Sequence, residues 1–213
     1  MKLIPTFTSK LEKLCSISPL LIKLVEIYYK DLVKREVDLG QISCDDHVLC
    51  IGGGPLPCTA LAIANQTGAQ VYVIDIDPLS VEIAQKVIKR LNMTQKVKVG
   101  LASGQQMDVS DFSVVHVALQ AYPREDIFKN VWKKAPAGAR ILMRSPKEAL
   151  RPFYSSLPDE CHKCHQCMNI KQNNMTISCT LLFTKNQGGF KDDEKGNTGF
   201  SSPHIDFNTH MVS

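Results

Sequence analysis

The stretch VLCIGGGPLPCT, residues 48–59, constrains this chain more than any other part of it. A short apolar run ends in three glycines, Gly52, Gly53 and Gly54, and Pro55 and Pro57 then bracket Leu56. Glycines let a backbone take left-handed angles and approach a ligand closely. A helix beginning just after them offers free N–H groups and the positive end of its dipole at the same place. A strand that stops in this way and passes into a helix is a step of an α/β fold.

The rest of the chain repeats that step. Helical spacing of Leu21, Leu24, Val25, Tyr28, Tyr29, Leu32 and Val33 predicts a helix in SPLLIKLVEIYYKDLVKREV, started by Ser18 and Pro19. HVLCI reads as the first strand, CTALAIANQ as a helix and VYVIDID as the second strand. LSVEIAQKVIKRLN reads as a helix with Val81, Ala84, Val87, Ile88 and Leu91 on one side. KVKVGLA, FSVVHVAL and ARILMRS read as three more strands, with a helix, REDIFKNVWKKA, before the last. Strands apolar on both faces, alternating with helices, predict a doubly wound, mostly parallel sheet. QCMNIKQNNMTISCTLLFT predicts two further strands around QNN, an antiparallel hairpin. The expected fold is therefore α/β, a seven-stranded sheet of the class I methyltransferase type closed by a C-terminal hairpin.

Composition narrows the class. A chain of 213 residues suits one ordinary domain with a sizeable core, and 44% hydrophobic with 22% charged residues reads as globular. The net charge of +4 is mild and compels neither a nucleic-acid nor a membrane partner. No apolar run approaches the ~20 residues that cross a bilayer. The start, MKLIPTFTSKLEKLC, has scattered charges and does not read as a signal peptide. Several of the eight cysteines fall in expected core segments of a chain too large to need disulfides, so a reducing cytoplasm is expected.

The second strand ends in acid. Asp75 lies 21 residues after Gly54, where a carboxylate can accept hydrogen bonds from both ribose hydroxyls of a nucleoside. GLASGQ, at the end of the third strand, is where such folds contact adenine. A dinucleotide fingerprint needs a third glycine where this chain has Leu56, Pro57 and Cys58. S-adenosylmethionine carries no phosphate and does not need that approach, so it is the expected cofactor. Its candidate contacts are Gly52, Gly53, Gly54, Pro55, Asp75, Ile76, Ala102 and Ser103. Residues 46–185 are then the S-adenosylmethionine-binding Rossmann-like domain. Residues 1–45 form an N-terminal helical segment, and residues 186–213, rich in Gly, Ser, Asn and charge, a disordered tail.

IGGGPLPCTALAIA followed by YVIDIDPLSVEIAQ resembles the nicotianamine synthase family, with its Gly-x-Gly-Pro-Leu-Pro turn and Asp-Ile-Asp strand end. Cys50 stands where ordinary methyltransferases have an acid, and that family lacks the acid too. Tyr29, Leu32 and Glu36 match a Tyr-x-x-Leu-x-x-x-Glu stretch upstream of its turn, so the resemblance covers residues 28–185. It implies that an amine attacks the aminocarboxypropyl carbon on the sulfonium and that methylthioadenosine leaves. It also implies that Tyr29 lies near the reacting centre, for orientation or proton relay. The family has a larger helical domain before its turn, which donates a catalytic glutamate, whereas 51 residues precede Gly52. A homodimer mate or another partner chain is the candidate for completing the pocket. The expected function is aminocarboxypropyl transfer to a small amine or amino acid. Small-molecule methyl transfer and a non-catalytic nucleoside-binding module are the alternatives.

Other residues have plainer readings. Gln120 and Tyr122 follow the fourth strand, opposite the reacting carbon of such folds, and join Tyr29 as candidate catalytic residues. The amino-methyltransferase motif Asn-Pro-Pro-Tyr is replaced there by LQAYP, which argues against base methylation. His116 is expected to be a buried, hydrogen-bonded histidine, with a role at the site as the alternative. Arg144 is either a solvated charge or a bidentate, forked partner for a substrate carboxylate. Lys133, Lys134 and Arg140 read as a solvated basic face, and Trp132 as helix packing. Cys161, His162, Cys164, His165 and Cys167 lack a second Cys-x-x-Cys to complete a zinc site, so a polar edge segment without metal is expected, with zinc binding as the alternative.

Overall fold

The structure, a computed structural model, describes residues 19–155 and 168–185. Its elements run α1 (Pro19–Gly40), β1 (His47–Ile51), α2 (Cys58–Thr67), β2 (Gln70–Asp75), α3 (Pro78–Arg90) and β3 (Val97–Leu101). Then come β4 (Val114–Val117), α4 (Arg124–Lys134), β5 (Arg140–Pro146), a 3-10 turn (Glu148–Phe153), β6 (Met168–Lys171) and β7 (Ile177–Thr184). The seven strands form one sheet in the order β3-β2-β1-β4-β5-β7-β6. β1 to β5 are parallel and β7 runs antiparallel to both of its neighbours. The expected architecture, hairpin included, is the one observed.

Local chemistry sets the element ends. Asp77 caps α3 by accepting from Leu79 N at 3.2 Å, with Pro78 in the first turn. α2 stops at Gly68, whose φ of 80° lets its N–H turn back to Ala64 O. In the hairpin Asn174 Oδ1 accepts from Thr176 N at 2.9 Å, closing the turn between β6 and β7.

Two apolar layers sandwich the sheet. On one face α1, α2 and α3 bury Leu32, Val33, Leu61, Ile63, Val87 and Ile88 against β1 and β2. On the other, α4 buries Ile127, Phe128 and Val131 against Leu49, Val115, Ile141 and Met143. Trp132 stacks on Phe128 with centroids 5.6 Å apart, the helix-packing role expected of it.

The basic run is not a uniformly solvated face. Lys133 is exposed, but Lys134 Nζ donates to Gln106 O at 2.9 Å. Arg140 Nη1 donates to Gly40 O at 2.8 Å and Gln41 O at 2.9 Å, and Nη2 pairs with Asp46. The last carbonyls of a helix lack partners within it, and Arg140 at the start of β5 supplies one. The cysteine–histidine cluster at residues 161–167, the start of the chain and the tail from residue 186 lie outside the described residues.

Strand register prepares the site. Cys50 on β1 pairs with His116 on β4, His116 with Leu142 on β5, and Arg144 with Thr180 on β7. Side chains two apart on a strand share a face. Cys50, His116, Arg144 and Thr180 therefore come to one side of the sheet, under α1.

Candidate active site

The strand order reverses between β1 and β4, and a cleft opens at the carboxyl ends of these strands, where open α/β sheets bind ligands. Its cavity, about 270 Å³, is of small-molecule size. Every candidate site residue of the sequence reading lines it: Tyr29, Gly52, Gly53, Gly54, Pro55, Asp75, Ile76, Ala102, Ser103, Gln120 and Tyr122.

The glycine turn is built around β2. Gly52 N and Gly53 N both donate to Ile74 O, at 2.9 and 3.2 Å. Gly52 and Gly54 hold φ of 81° and 64°, angles that residues with a Cβ adopt reluctantly. At Gly53 a Cβ would lie 2.1 Å from Val73 Cγ1, so the turn presses directly onto the second strand. Asp75 ties the two together. Its Oδ2 accepts from Gly54 N at 2.7 Å and its Oδ1 from Asp77 N at 3.0 Å. Each oxygen keeps a further acceptor site toward the cleft. Ala102 N donates to Asp75 O at 3.1 Å, which brings the end of β3 beside the acid. Ile76 is 66% exposed on the cleft wall, an apolar surface for a flat ring. Gln120 and Tyr122 stand exposed at the mouth.

The cleft floor is a buried charge network. Glu36 on α1 is fully buried and takes Arg144 in a forked pair, Nε to Oε1 at 2.8 Å and Nη2 to Oε2 at 2.7 Å. Thr180 Oγ1 donates to Glu36 Oε1 at 2.8 Å, and His116 Nε2 lies 3.2 Å from Oε2. An ionised carboxylate only accepts, so His116 Nε2 carries the proton of that bond. Arg144 Nη2 also donates to Thr59 Oγ1 at 3.0 Å, and the guanidinium lies 5.6 Å from the centre of the Tyr29 ring.

Burial alone would raise the Glu36 carboxyl, but the Arg144 charge and the hydrogen bonds from Arg144 and His116 outweigh it and hold it well below the usual range. His116 is held below its ordinary value, by burial first and by the Arg144 charge, against the pull of Glu36. Burial pushes the Cys50 thiol up to about 12, and Glu36 reinforces this against the opposing charge of Arg144. The network is thus Glu36⁻, Arg144⁺ and two neutral groups, His116 and Cys50.

Sequence reasoning placed His116 correctly as buried and hydrogen-bonded. Arg144 is not a solvated charge: its side chain is 5% exposed, with Glu36 as the reason it can be buried charged. Glu36 stood in the sequence only as the last letter of a spacing match, and Thr59 and Thr180 gave no signal. Arg124 was also missed. It is fully buried at the start of α4, where Nη2 donates to Arg144 O and the backbone N to Ser155 Oγ at 2.9 Å.

Comparison with known proteins follows the same lines. The family profile described as nicotianamine synthase protein matches residues 20–186. L-histidine 2-aminobutanoyltransferase of Yersinia pestis is 29% identical over 70 residues, 33% of this chain and 26% of that protein. The chain thus spans about a quarter of that curated relative. A mutant of MtNAS in complex with S-adenosylmethionine superposes with a TM-score of 0.71 at 23% identity, over 86% of this chain and 76% of the other. MtNAS in complex with MTA and tNA gives 0.66 at 24% identity, over 81% and 68%. At these identities the two structures establish the fold.

Proposed function

We propose, from the premise that this chain belongs to the nicotianamine synthase family, that it transfers the aminocarboxypropyl group of S-adenosylmethionine to a small amine or amino acid. The observation that carries the reading is the clasp of Asp75 on the glycine turn, through Gly54 N, within one cleft. The cleft fits a nucleoside. Asp75 offers acceptors for ribose hydroxyls and Ile76 an apolar wall for adenine. The names of the relatives support the same class: one bears an aminobutanoyltransferase name, and one superposed structure holds S-adenosylmethionine.

S-adenosylmethionine supplies a sulfonium that activates its attached carbons. The acceptor nitrogen forms a C–N bond to the aminocarboxypropyl methylene as the C–S bond breaks. The bonding pair goes to sulfur, methylthioadenosine leaves neutral, and the acceptor's proton passes to water. The chain's own part is alignment. We assign Tyr29, held against Arg144, to orienting the acceptor or relaying its proton, and Gln120 and Tyr122 to the mouth where the acceptor arrives.

In this reading residues 46–185 are the cofactor-binding unit, and the helical segment 1–45 lends it Tyr29 and Glu36. A homodimer mate or another partner chain is the proposed contributor to the acceptor pocket. No described helix is long and apolar enough to cross a membrane. The described thiols of Cys44, Cys50 and Cys179 form no disulfide, which supports a reducing, cytoplasmic setting.

The test is the nucleoside product. The protein is incubated with S-adenosylmethionine and a mixture of amino acids, and products are followed by mass spectrometry. Methylthioadenosine formed only when an amino acid is present supports the proposal. Adenosylhomocysteine, or neither product, overturns it.

A further inference from the structure

We infer that Arg144 Nη1 is a receiving point for an α-carboxylate, one end of an amino-acid moiety bound in the cleft. The inference deepens the transfer reading above and rests on it.

A guanidinium has five N–H donors, one on Nε and two on each terminal nitrogen. Nε is committed to Glu36 Oε1, and Nη2 to Glu36 Oε2 and Thr59 Oγ1. Nη1 makes no hydrogen bond among the described residues, and the side chain faces the cavity. Nη1 is not among the sealed unpaired atoms of the core, so it opens to the cleft, where a ligand can reach it. A charged acceptor placed there exchanges water for a charge-assisted hydrogen bond.

The surroundings decide what kind of acceptor fits. Glu36 fixes one edge of the guanidinium and Tyr29 covers its face, so the direction of Nη1 is set before anything binds. Such preorganisation favours one geometry of approach. The buried Cys50 thiol stays protonated, so it brings no competing negative charge. Glu36 has already neutralised Arg144, which disfavours a dianion such as phosphate and favours a single carboxylate held end-on through one oxygen. The sequence reading offered Arg144 to a substrate carboxylate through its forked edge. The geometry changes that: the fork belongs to Glu36, and Nη1 is what remains.

Both partners of the proposed reaction carry an α-carboxylate, S-adenosylmethionine on its transferred group and an amino-acid acceptor on its own backbone. Calorimetry separates the two sources. The full chain is titrated with S-adenosylmethionine and with its decarboxylated form. In the presence of methylthioadenosine it is then titrated with L-histidine and with histamine. Loss of the carboxylate is expected to weaken one of the two pairs by about 10- to 100-fold, the range of a charged hydrogen bond. In the paired variant E36Q/R144Q, which removes both charges together, that discrimination is expected to vanish. Arg144→Lys, which keeps the charge opposite Glu36 but has no Nη1, serves the same purpose if the paired variant does not fold.

Wild-type protein that discriminates neither pair overturns the inference with no variant needed. Discrimination that survives in the variants overturns it as well. Methylthioadenosine has no carboxylate, and its binding checks the underlying reading separately. If it fails to bind wild-type protein, the nucleoside site falls and this inference with it. If it binds and carboxylates make no difference, only the inference falls.

Discussion

Glu36 on α1 and Arg144 on β5, 108 residues apart, meet edge to edge through two hydrogen bonds of 2.8 and 2.7 Å beneath the glycine turn. The pair fastens the first helix to the far half of the sheet, and its Arg144 lines the cleft. Removing one partner leaves the other buried and charged. Glu36→Ala is therefore expected to cost about 3–5 kcal/mol in urea denaturation, and Arg144→Met a similar amount. The double variant E36L/R144M is expected to be closer to wild type than either single variant, because no uncompensated charge remains. Additive losses would show that the two residues do not act as a pair.

The same network sets a pH dependence. His116 is held below its ordinary value of 6.5 and Glu36 below 4.5. In both cases the unfolded chain binds protons that the folded chain refuses, so stability rises with pH through those ranges. Unfolding free energy should be full above about pH 7 and fall on acidification, first as unfolded His116 takes up its proton and more steeply below pH 4.5 as unfolded Glu36 takes up its own. His116→Gln should flatten the upper part of this decline and leave the lower part. Denaturant titrations at a series of pH values read both.

Gly53 and Val73 make a second pair that can be tested against each other. With a Cβ placed 2.1 Å from Val73 Cγ1, Gly53→Ala should cost about 1–3 kcal/mol by overpacking. Val73→Ala opens that space. The double variant should lose less than the sum of the two single losses, and thermal denaturation measures the difference.

Most of the fold was legible because its signals are local. Apolar runs in β1, β2, β4 and β5 carry burial on both faces, and Pro78, Gly68 and Asn174 mark element ends through their own backbone preferences. Asp75 was legible through its distance from Gly54, which the strand and helix lengths of such a unit fix. The charged floor was not. Glu36, Arg144 and Thr180 meet only because β5 pairs with β7 in one register and α1 crosses above them. Nothing within five residues of Arg144 announces a carboxylate 108 positions earlier. Arg140 escaped for the same reason, since its partners, Gly40 O, Gln41 O and Asp46, lie at and just past the end of α1.

Asp75 carries the proposed ribose contact as well as the turn. Asp75→Asn keeps a carbonyl oxygen for Gly54 N but loses charge and one acceptor. Affinity for methylthioadenosine should fall about 10- to 100-fold, with a stability loss near 1 kcal/mol. Calorimetry and denaturation on the same samples separate the two effects. Unchanged affinity would remove Asp75 from the nucleoside site.

The central claim is that the aminocarboxypropyl group moves and the methyl group does not. The most direct measurement gives the full chain S-adenosylmethionine labelled in two places, tritium on the methyl and carbon-14 on the carboxylate, together with an amino-acid mixture. The account predicts that carbon-14 appears in a new amino-acid product while tritium stays with the released nucleoside as methylthioadenosine. Tritium on the amino acid, with carbon-14 left in adenosylhomocysteine, would contradict it.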